Sequence, residues 1–269
     1  MTPAQVRDAA RALFEAERDA RQIGLLSLAH PGMTMDDAYA VQAALTDLKL
    51  STGRRVIGWK IGLTSKAMQY ALGISIPDSG MLFDDMAFGN GTTIPPGRFI
   101  QPRIEAEIAF QVRSALTGKV SREDVLAATE FVAPAIEILD TRILRADPAT
   151  GTTRTICDTI SDNAANGGIV LGGERYAPNA FDLRWVGAIV SRDEEVEETG
   201  LGAGVLNDPV AGIVWLTERL ARYGQKIEAG QIVLAGSFIR PIECPPGARI
   251  AADFGVFGSV GIVFGQVQQ

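Results

Sequence analysis

The order of its segments constrains the fold of this chain more than any single motif. Two helix-forming stretches come first, and after Gly53 nearly everything consists of short β-branched runs separated by Gly and Pro. Those runs do not alternate regularly with helices, which predicts an α+β fold with a mostly β core rather than a doubly wound sheet. The 269 residues, 46% of them hydrophobic, suffice for a substantial core. We predict a single chain, residues 1–269, with a helical N-terminal region (1–53) and a β-rich core (54–269).

Capping residues mark where the helices begin. Residues 3–22 carry apolar side chains at helical intervals, and a second helix is predicted where Thr34 is followed by Asp37, the spacing of a capping box. Two later helices interrupt the β-rich part, and their caps are Ser121 and Asp208. The last helix is predicted to bury one stripe of residues, namely Val210, Ile213, Leu216 and Leu220.

Composition and charge exclude several classes of protein. The formal net charge is −7 and the Lys and Arg residues are scattered, so we predict no nucleic-acid partner. The N-terminal stretch lacks the apolar run of a secretory signal, and no segment has the roughly 18 apolar residues that span a bilayer, so we expect a cytoplasmic protein with no membrane partner. Cys157 and Cys244 have no metal-ligand spacing. The single histidine, His30, leaves little scope for a Ser-His-Asp triad.

Three glutamates predict a metal site. The alternative is that they face solvent on an edge strand and pair with arginines. In "RIEAEIAF" (103–110), Glu105 and Glu107 point to one face of a strand, because strand side chains alternate. Carboxylates about 4 Å apart repel by roughly 4 kcal/mol at an effective dielectric of about 20, so a cation between them would be stabilising. Glu137 lies in the apolar run "FVAPAIEILD", where an unpaired charge is costly. Three carboxylates without His or Cys favour Mg²⁺, or else Mn²⁺, over zinc.

Lys60 lies in the middle of another apolar run, "VIGWKIGL". A buried lysine needs a charged partner and is easily tuned for proton transfer, whereas the alternative is that its side chain extends along the strand to solvent. Three glutamates and one divalent cation leave a net charge of −1, so an anionic substrate needs a further positive group, which Lys60 supplies. Leu63, Thr64 and Ser65 follow, and their backbone N–H groups and hydroxyls suit a carboxylate. We predict that Lys60 is catalytic and that these three residues bind substrate.

Two polar stretches supply further catalytic candidates for handling water and protons. The first is "PDSG" (77–80), which offers Asp78, although turn chemistry alone also explains this stretch. The second is "DTISDNAANGG" (158–168), which offers Ser161. This stretch fits a hydrogen-bonding loop beside a ligand and also an Asx-rich surface turn. We predict catalytic roles for Asp78 and Ser161.

Seven motifs carry a resemblance to a known family, and in chain order they are "KIGLTSKAMQ", "PDSGMLFDDM", "QPRIEAEIAF", "PAIEILDTR", "DTISDNAANGG", "TGLGAGVLNDPVAGIVWL" and "AGQIVLAGSF". With them the sequence resembles, over nearly its whole length, the hydratase and decarboxylase branch of the fumarylacetoacetate hydrolase superfamily. The resemblance implies a mixed β-roll core, Mg²⁺ held by Glu105, Glu107 and Glu137, an essential lysine at Lys60, and a homo-oligomer. Trp59 stands where relatives more often carry His or Lys.

The resemblance also implies an activity. The stretch "RADPATGTTRTICDTISDNAANGG" is similar to the members that hydrate a seven-carbon 2-oxo-enedioate in homoprotocatechuate (4-hydroxyphenylacetate) degradation, which would make the chain a lyase acting on a small-molecule substrate. The distal carboxylate of that substrate needs a cation. The sequence does not choose among Arg103, Arg142 and Arg240, and we place Arg142 with the substrate-binding residues.

Other activities stay open. Hydration of 2-hydroxypenta-2,4-dienoate and decarboxylation of 4-oxalocrotonate would use the same metal site. Carbon–carbon bond hydrolysis is less favoured, because it needs a water-activating base such as His and the chain has only His30. A non-catalytic β protein that binds small acids or calcium is a further alternative, but no D-x-D-x-D-G loop supports the calcium version.

Overall fold

The computed structural model describes residues 1–66, 69–70 and 76–266 of the chain. Ala67 and Met68, which belong to the first motif of the resemblance, and the last three residues of the predicted core lie outside this description. The helices are α1 (Pro3–Arg18), α2 (Leu26–Ala29), α3 (Met35–Ser51), α4 (Arg122–Ala128), α5 (Ile156–Ser161) and α6 (Pro209–Ala221). The strands are β1 (Val56–Gly62), β2 (Asp78–Phe83), β3 (Ala87–Phe88), β4 (Thr93–Ile94), β5 (Arg103–Val112), β6 (Thr129–Leu139), β7 (Asn166–Leu171), β8 (Gly187–Arg192), β9 (Glu195–Leu201), β10 (Ile232–Leu234), β11 (Ile242–Glu243), β12 (Arg249–Asp253) and β13 (Ser259–Phe264).

The N-terminal helices form a cluster of their own. Thr2 and Thr34 cap α1 and α3, each with a complete capping box, so the cap predicted at Thr34 is confirmed. The first helix ends at Arg18 rather than near residue 22, because Ala20 adopts a left-handed conformation (φ 47°). Buried apolar residues join α1, α3 and the segment after β6, among them Ala10, Leu13, Val41, Leu45 and Ile143. No helix within the described ranges is both long and apolar enough to span a bilayer.

A mixed, eight-stranded sheet forms the centre of the molecule. Its strand order is β2-β1-β10-β5-β6-β7-β3, and β11 pairs with the start of β5. Most neighbours are antiparallel, but β1–β10 and β3–β7 are parallel. The long ladder between β5 and β6 runs from Arg103 opposite Leu139 to Val112 opposite Thr129. This ladder fixes the heights at which side chains of the two strands meet.

A second sheet, with the order β4-β13-β12-β8-β9, packs against β6 and β7 through β13. Helix α6 lies against β1 and begins at the predicted cap, where Asp208 accepts a hydrogen bond from the Val210 N–H (3.0 Å). The predicted stripe of this helix is confirmed, since all four of its members are buried. The prediction of an α+β fold with a mostly β core and N-terminal helices is therefore confirmed.

Two of the local alternatives that the sequence left open are wrong. The turn considered for residues 77–80 is instead the start of β2, which is buried along its whole length and pairs with β1 so that Asp78 lies opposite Gly62. The surface turn considered for 158–168 is instead a buried segment that contains α5 and the start of β7. Both stretches are rich in turn-forming residues, and long-range pairing with β1 and β6 overrides that preference.

Candidate functional site

The three predicted glutamates come together on the central sheet. Glu105 and Glu107 share one face of β5, and Glu105 lies directly opposite Glu137 of β6. Carboxylate oxygens of the three side chains lie within 4.8 Å of one another, a separation at which they can hold one metal ion. Glu107 and Glu137 are fully buried and Glu105 is partly exposed, so the edge-strand interpretation is wrong and the cluster opens on the side of Glu105.

The electrostatics of this cluster favour a cation. Burial, reinforced by the charge of Glu137, raises the pKa of Glu105 to about 8. Burial and its two acidic neighbours raise the pKa of Glu107 well above its ordinary value. Within the part of the chain that the structure describes, Glu107 Oε1 and Glu137 Oε2 are buried without a hydrogen-bond partner. Since hard oxygen donors without His or Cys suit Mg²⁺ or Mn²⁺, the residues present fit such an ion.

Two groups outside the predicted site residues orient the glutamates. The backbone N–H of Gly236 donates to Glu107 Oε2 (2.7 Å), and Asn166 Nδ2 donates to Glu137 Oε1 (2.8 Å). Asn166 lies inside the predicted loop motif, so its residue type was a usable signal. Gly236 carries no side-chain signal, and its role depends on the backbone path. Both groups leave the opposite oxygens of the two carboxylates free for a ligand.

Lys60 is buried beside the cluster, so the alternative in which it extends to solvent is wrong. Its Nζ lies 3.2 Å from Glu137 Oε1 and donates to the carbonyl oxygen of Ala164 (3.1 Å). Burial by itself opposes the charge on Lys60, but the surrounding carboxylates, Glu137 foremost, raise the pKa of its ammonium above the ordinary value. Lys60 is therefore a cation at neutral pH.

Asp78 lies on the same side of the site as Lys60. The two side chains approach each other over Gly62: a Cβ atom on Gly62 would lie 2.2 Å from Asp78 Oδ1 and 3.1 Å from Lys60 Nζ. Glycine is thus required here for close approach. Burial raises the pKa of Asp78 to about 6, although Lys60 acts against this shift. Asp78 Oδ1 has no hydrogen-bond partner among the described residues.

Ser161 ends α5 and is followed by an unusual turn. Its hydroxyl is buried and, among the described residues, has no hydrogen-bond partner. Asn163, Ala164 and Ala165 all adopt left-handed conformations, with φ of 52°, 52° and 60°. Such a conformation costs roughly 1–2 kcal/mol per non-glycine residue, so the surroundings must stabilise it. The turn directs the carbonyl of Ala164 at Lys60.

Arg142 and Asn163 hold this turn. Arg142 forms a buried ion pair with Asp162 and donates to the carbonyl oxygens of Asp162 (2.7 Å) and Asn166 (3.0 Å). The side-chain amide of Asn163 bonds both backbone groups of Met81 on β2, at 2.8 and 2.9 Å. Arg142, which we placed among the substrate-binding residues, uses each of its three guanidinium nitrogens for a bond within the protein, and it stabilises the turn that faces Lys60.

The predicted substrate-binding residues 63–65 lie where β1 ends. Leu63 is left-handed (φ 57°), and the buried Thr64 packs against Gly236, where a Cβ atom would lie only 2.3 Å from Thr64 Oγ1. Because the Gly236 N–H binds Glu107, the end of β1 lies beside the glutamate cluster. The structure thus brings Lys60, Asp78, residues 63–65 and the glutamates into one region.

Known proteins are similar to this chain in sequence and in fold. The chain is 48% identical over 256 residues to the 2-oxo-hept-4-ene-1,7-dioate hydratase of Escherichia coli, covering 95% of this chain and 96% of that protein. It is 40% identical over 261 residues to the 2-keto-4-pentenoate hydratase of Paraburkholderia xenovorans (strain LB400), covering 97% and 95%. No protein-family model matches the chain.

Solved structures agree with this relationship. The 4-oxalocrotonate decarboxylase of Pseudomonas putida G7, complexed with magnesium and adipate, superposes with a TM-score of 0.92 at 31% identity over 98% of both chains. The fumarylpyruvate hydrolase of Pseudomonas aeruginosa, in complex with Mn²⁺ and pyruvate, shares the fold with a TM-score of 0.58 at 12% identity over 78% of this chain and 89% of that one.

The curled mixed sheet with its N-terminal helices is a fold of the fumarylacetoacetate hydrolase type, and it carries a buried carboxylate cluster whose oxygens lie close enough together to hold a metal ion. Within it, the chain belongs to the hydratase and decarboxylase branch of the fumarylacetoacetate hydrolase superfamily.

Proposed function

We propose that this chain is a hydro-lyase that adds water to 2-oxohept-4-ene-1,7-dioate, supplied as its dienol 2-hydroxyhepta-2,4-dienedioate, and yields 4-hydroxy-2-oxoheptanedioate. The observation that carries the proposal is the 48% identity, over 95% of the chain, to a hydratase named for that substrate. The reaction belongs to the breakdown of homoprotocatechuate. A cytoplasmic location, a homo-oligomer and the division of the chain at residue 53 remain predictions.

We assign Glu105, Glu107 and Glu137 to holding a Mg²⁺ ion, with Mn²⁺ as the alternative. The convergence of the three carboxylates and their unpartnered oxygens support this assignment. When bound, the ion supplies electrophilic polarisation of the keto oxygen of a 2-oxo acid. The N–H of Gly236 and the amide of Asn166 keep the glutamates in position.

Lys60 and Asp78 are the residues we assign to proton transfer. Ketonisation moves a proton from the 2-hydroxyl of the dienol to carbon 5, which leaves an alkene conjugated with the carbonyl. Lys60, held by Glu137 and the Ala164 carbonyl, is charged and orients the hydroxyl end of the substrate. Asp78, with a pKa of about 6, can accept and release a proton close to neutral pH.

Water then adds across the double bond between carbons 3 and 4: its oxygen bonds to carbon 4, and a proton goes to carbon 3. The Ser161 hydroxyl and Asp78 Oδ1 are buried and free of partners among the described residues, so they are the groups we assign to holding this water. Leu63, Thr64 and Ser65 are assigned to the substrate carboxylate next to the keto group, because the end of β1 lies beside the glutamate cluster.

The test is turnover with product identification. Purified protein with Mg²⁺ should remove the ultraviolet absorbance of 2-hydroxyhepta-2,4-dienedioate and form 4-hydroxy-2-oxoheptanedioate, and EDTA should stop the reaction. Glu137→Ala should abolish turnover while the fold is retained, whereas the exposed Glu130→Ala on the same strand should not change it. Full activity in metal-free buffer would refute the metal-dependent proposal.

Decarboxylation is the second candidate, because the decarboxylase of P. putida G7 matches with a TM-score of 0.92. Incubation with 2-oxohex-3-enedioate separates the two activities: release of carbon dioxide supports the decarboxylase, and its absence, with hydration of the seven-carbon dienol, supports the hydratase.

A further inference from the structure

A cavity of about 380 Å³ lies where β5 begins. It is unusually rich in arginine. The basic residues that line it, which we call the arginine cavity, are Arg103, Arg145, Arg154 and Arg192. Among the described residues, Glu243 is the one acidic side chain in its lining. The cavity therefore carries an excess of positive charge although the whole chain is acidic.

Three of these arginines lack an acidic partner. Arg192 is paired with Glu197, but in the described part of the chain no carboxylate lies within ion-pair distance of Arg103, Arg145 or Arg154. The backbone N–H of Arg154 donates to the carbonyl of Arg145 (2.9 Å), so these two residues are neighbours beside the isolated bridge between Ala146 and Thr153. Burial lowers the pKa of Arg154, and the charges of Arg103 and Arg145 act in the same direction. The charges of Asp162 and Asp158 oppose this shift, and an anion in the cavity would relieve the remaining repulsion between the arginines.

Arg103 connects the arginine cavity to the glutamate cluster. It precedes Glu105 by two residues on β5, so both side chains project from the same face of the strand. Glu105 is also the partly exposed member of the cluster. Residues two apart on a strand are separated by about 7 Å. The two carboxyl carbons of a seven-carbon dioate are separated by the same number of covalent bonds as the Cα atoms of such residues. The extended dioate therefore spans about the same distance.

The other candidates for the distal carboxylate are engaged elsewhere. Arg142 is buried in its bonds to Asp162 and Asn166, and the exposed Arg240 pairs with Glu198 (2.6 Å). Resting on the proposed function, we propose that the arginine cavity binds the second carboxylate of the substrate, with Arg103, Arg145 and Arg154 as its partners. The cavity would make the site selective for dioates over monocarboxylates.

Binding of unreactive 2-oxo acids tests this directly. In the presence of Mg²⁺, calorimetry should show that 2-oxoheptanedioate binds at least about 10-fold more tightly than 2-oxopentanoate. Arg154→Gln and, separately, the exposed Arg145→Gln should each weaken binding of the dioate by about 10- to 100-fold and change binding of the monocarboxylate by less than about 3-fold. Arg240→Gln is the matched control and should change neither.

Three results would overturn the inference. The first is equal affinity of the wild type for both acids. The second is an equal loss of affinity for both acids in the two cavity variants. The third is binding of inorganic phosphate that does not compete with 2-oxoheptanedioate. The last result would mean an independent anion site. Failure of the proposed function is a different outcome: wild-type enzyme would leave the seven-carbon dienol unchanged, while the binding selectivity and its dependence on Arg154 would still decide the inference.

Discussion

Removing one carboxylate from the metal-free cluster should stabilise the protein and abolish its response to Mg²⁺. Glu105→Gln keeps the size of the side chain and removes its charge. The pKa of Glu105 is raised to about 8 in the folded protein, whereas an ordinary glutamate titrates near 4.5. Between these values the folded state holds more protons than the unfolded state, so metal-free stability falls as pH rises from about 4.5 to 8. Below about pH 4.5, Glu105 is protonated in both the folded and the unfolded state, so its titration no longer changes stability.

The magnitude follows from that interval. Between pH 4.5 and pH 7, an interval of about 2.5 pH units, the raised pKa of Glu105 lowers the free energy of unfolding of the metal-free protein. At 1.36 kcal/mol per pH unit, the decrease is about 3 kcal/mol. Because the titration of Glu105 depends on the charges around it, we expect about 2 kcal/mol in the Glu105→Gln variant. For a chain of this length, that corresponds to a rise in Tm of roughly 4–8 °C.

The assay is denaturant unfolding at a fixed protein concentration, at pH 5, 7 and 8, with EDTA or with Mg²⁺. In EDTA, the stability advantage of Glu105→Gln should be small at pH 5 and grow with pH. Mg²⁺ should stabilise the wild type by mass action and leave the variant almost unchanged. Glu130→Gln, an exposed glutamate of β6, is the control. A variant that is less stable than the wild type in EDTA at pH 7, or one that keeps the Mg²⁺ response, would refute the reasoning.

Three further predictions concern other parts of the structure. Gly62→Ala should lower kcat by at least about 100-fold, because its Cβ would displace the Asp78 carboxylate; unchanged kcat would contradict the close approach. Lys60→Met should reduce turnover by at least about 100-fold while Mg²⁺ binding, followed by calorimetry, persists; lost Mg²⁺ binding would instead indicate a structural role. Glu17→Gln should destabilise the protein by about 2–3 kcal/mol at pH 7 in urea unfolding. Despite burial, Lys49 (2.6 Å) lowers the pKa of Glu17 to about 2, so this difference should shrink below about pH 4.5 and vanish near pH 2.

The sequence predicted those parts of the site that depend on local geometry. Because strand side chains alternate, Glu105 and Glu107 share a face wherever the strand lies, and the cap at Thr34 follows from the spacing of two residues. Lys60 in an apolar run also predicted burial correctly. These features are properties of a few consecutive residues, and they need no knowledge of the remaining chain.

Long-range pairing decided the rest. The β5–β6 register sets Glu137 opposite Glu105, and a shift of one residue would turn it to the other face. Asp78 belongs to a buried strand only because β1 pairs with it, and Arg142 serves the left-handed turn because its donors meet Asp162 there. Register and partner choice depend on the free energy of the whole packed core, to which residues far apart in the chain contribute. The local sequence therefore determined which groups were available for chemistry, and the tertiary structure decided which of them face one another.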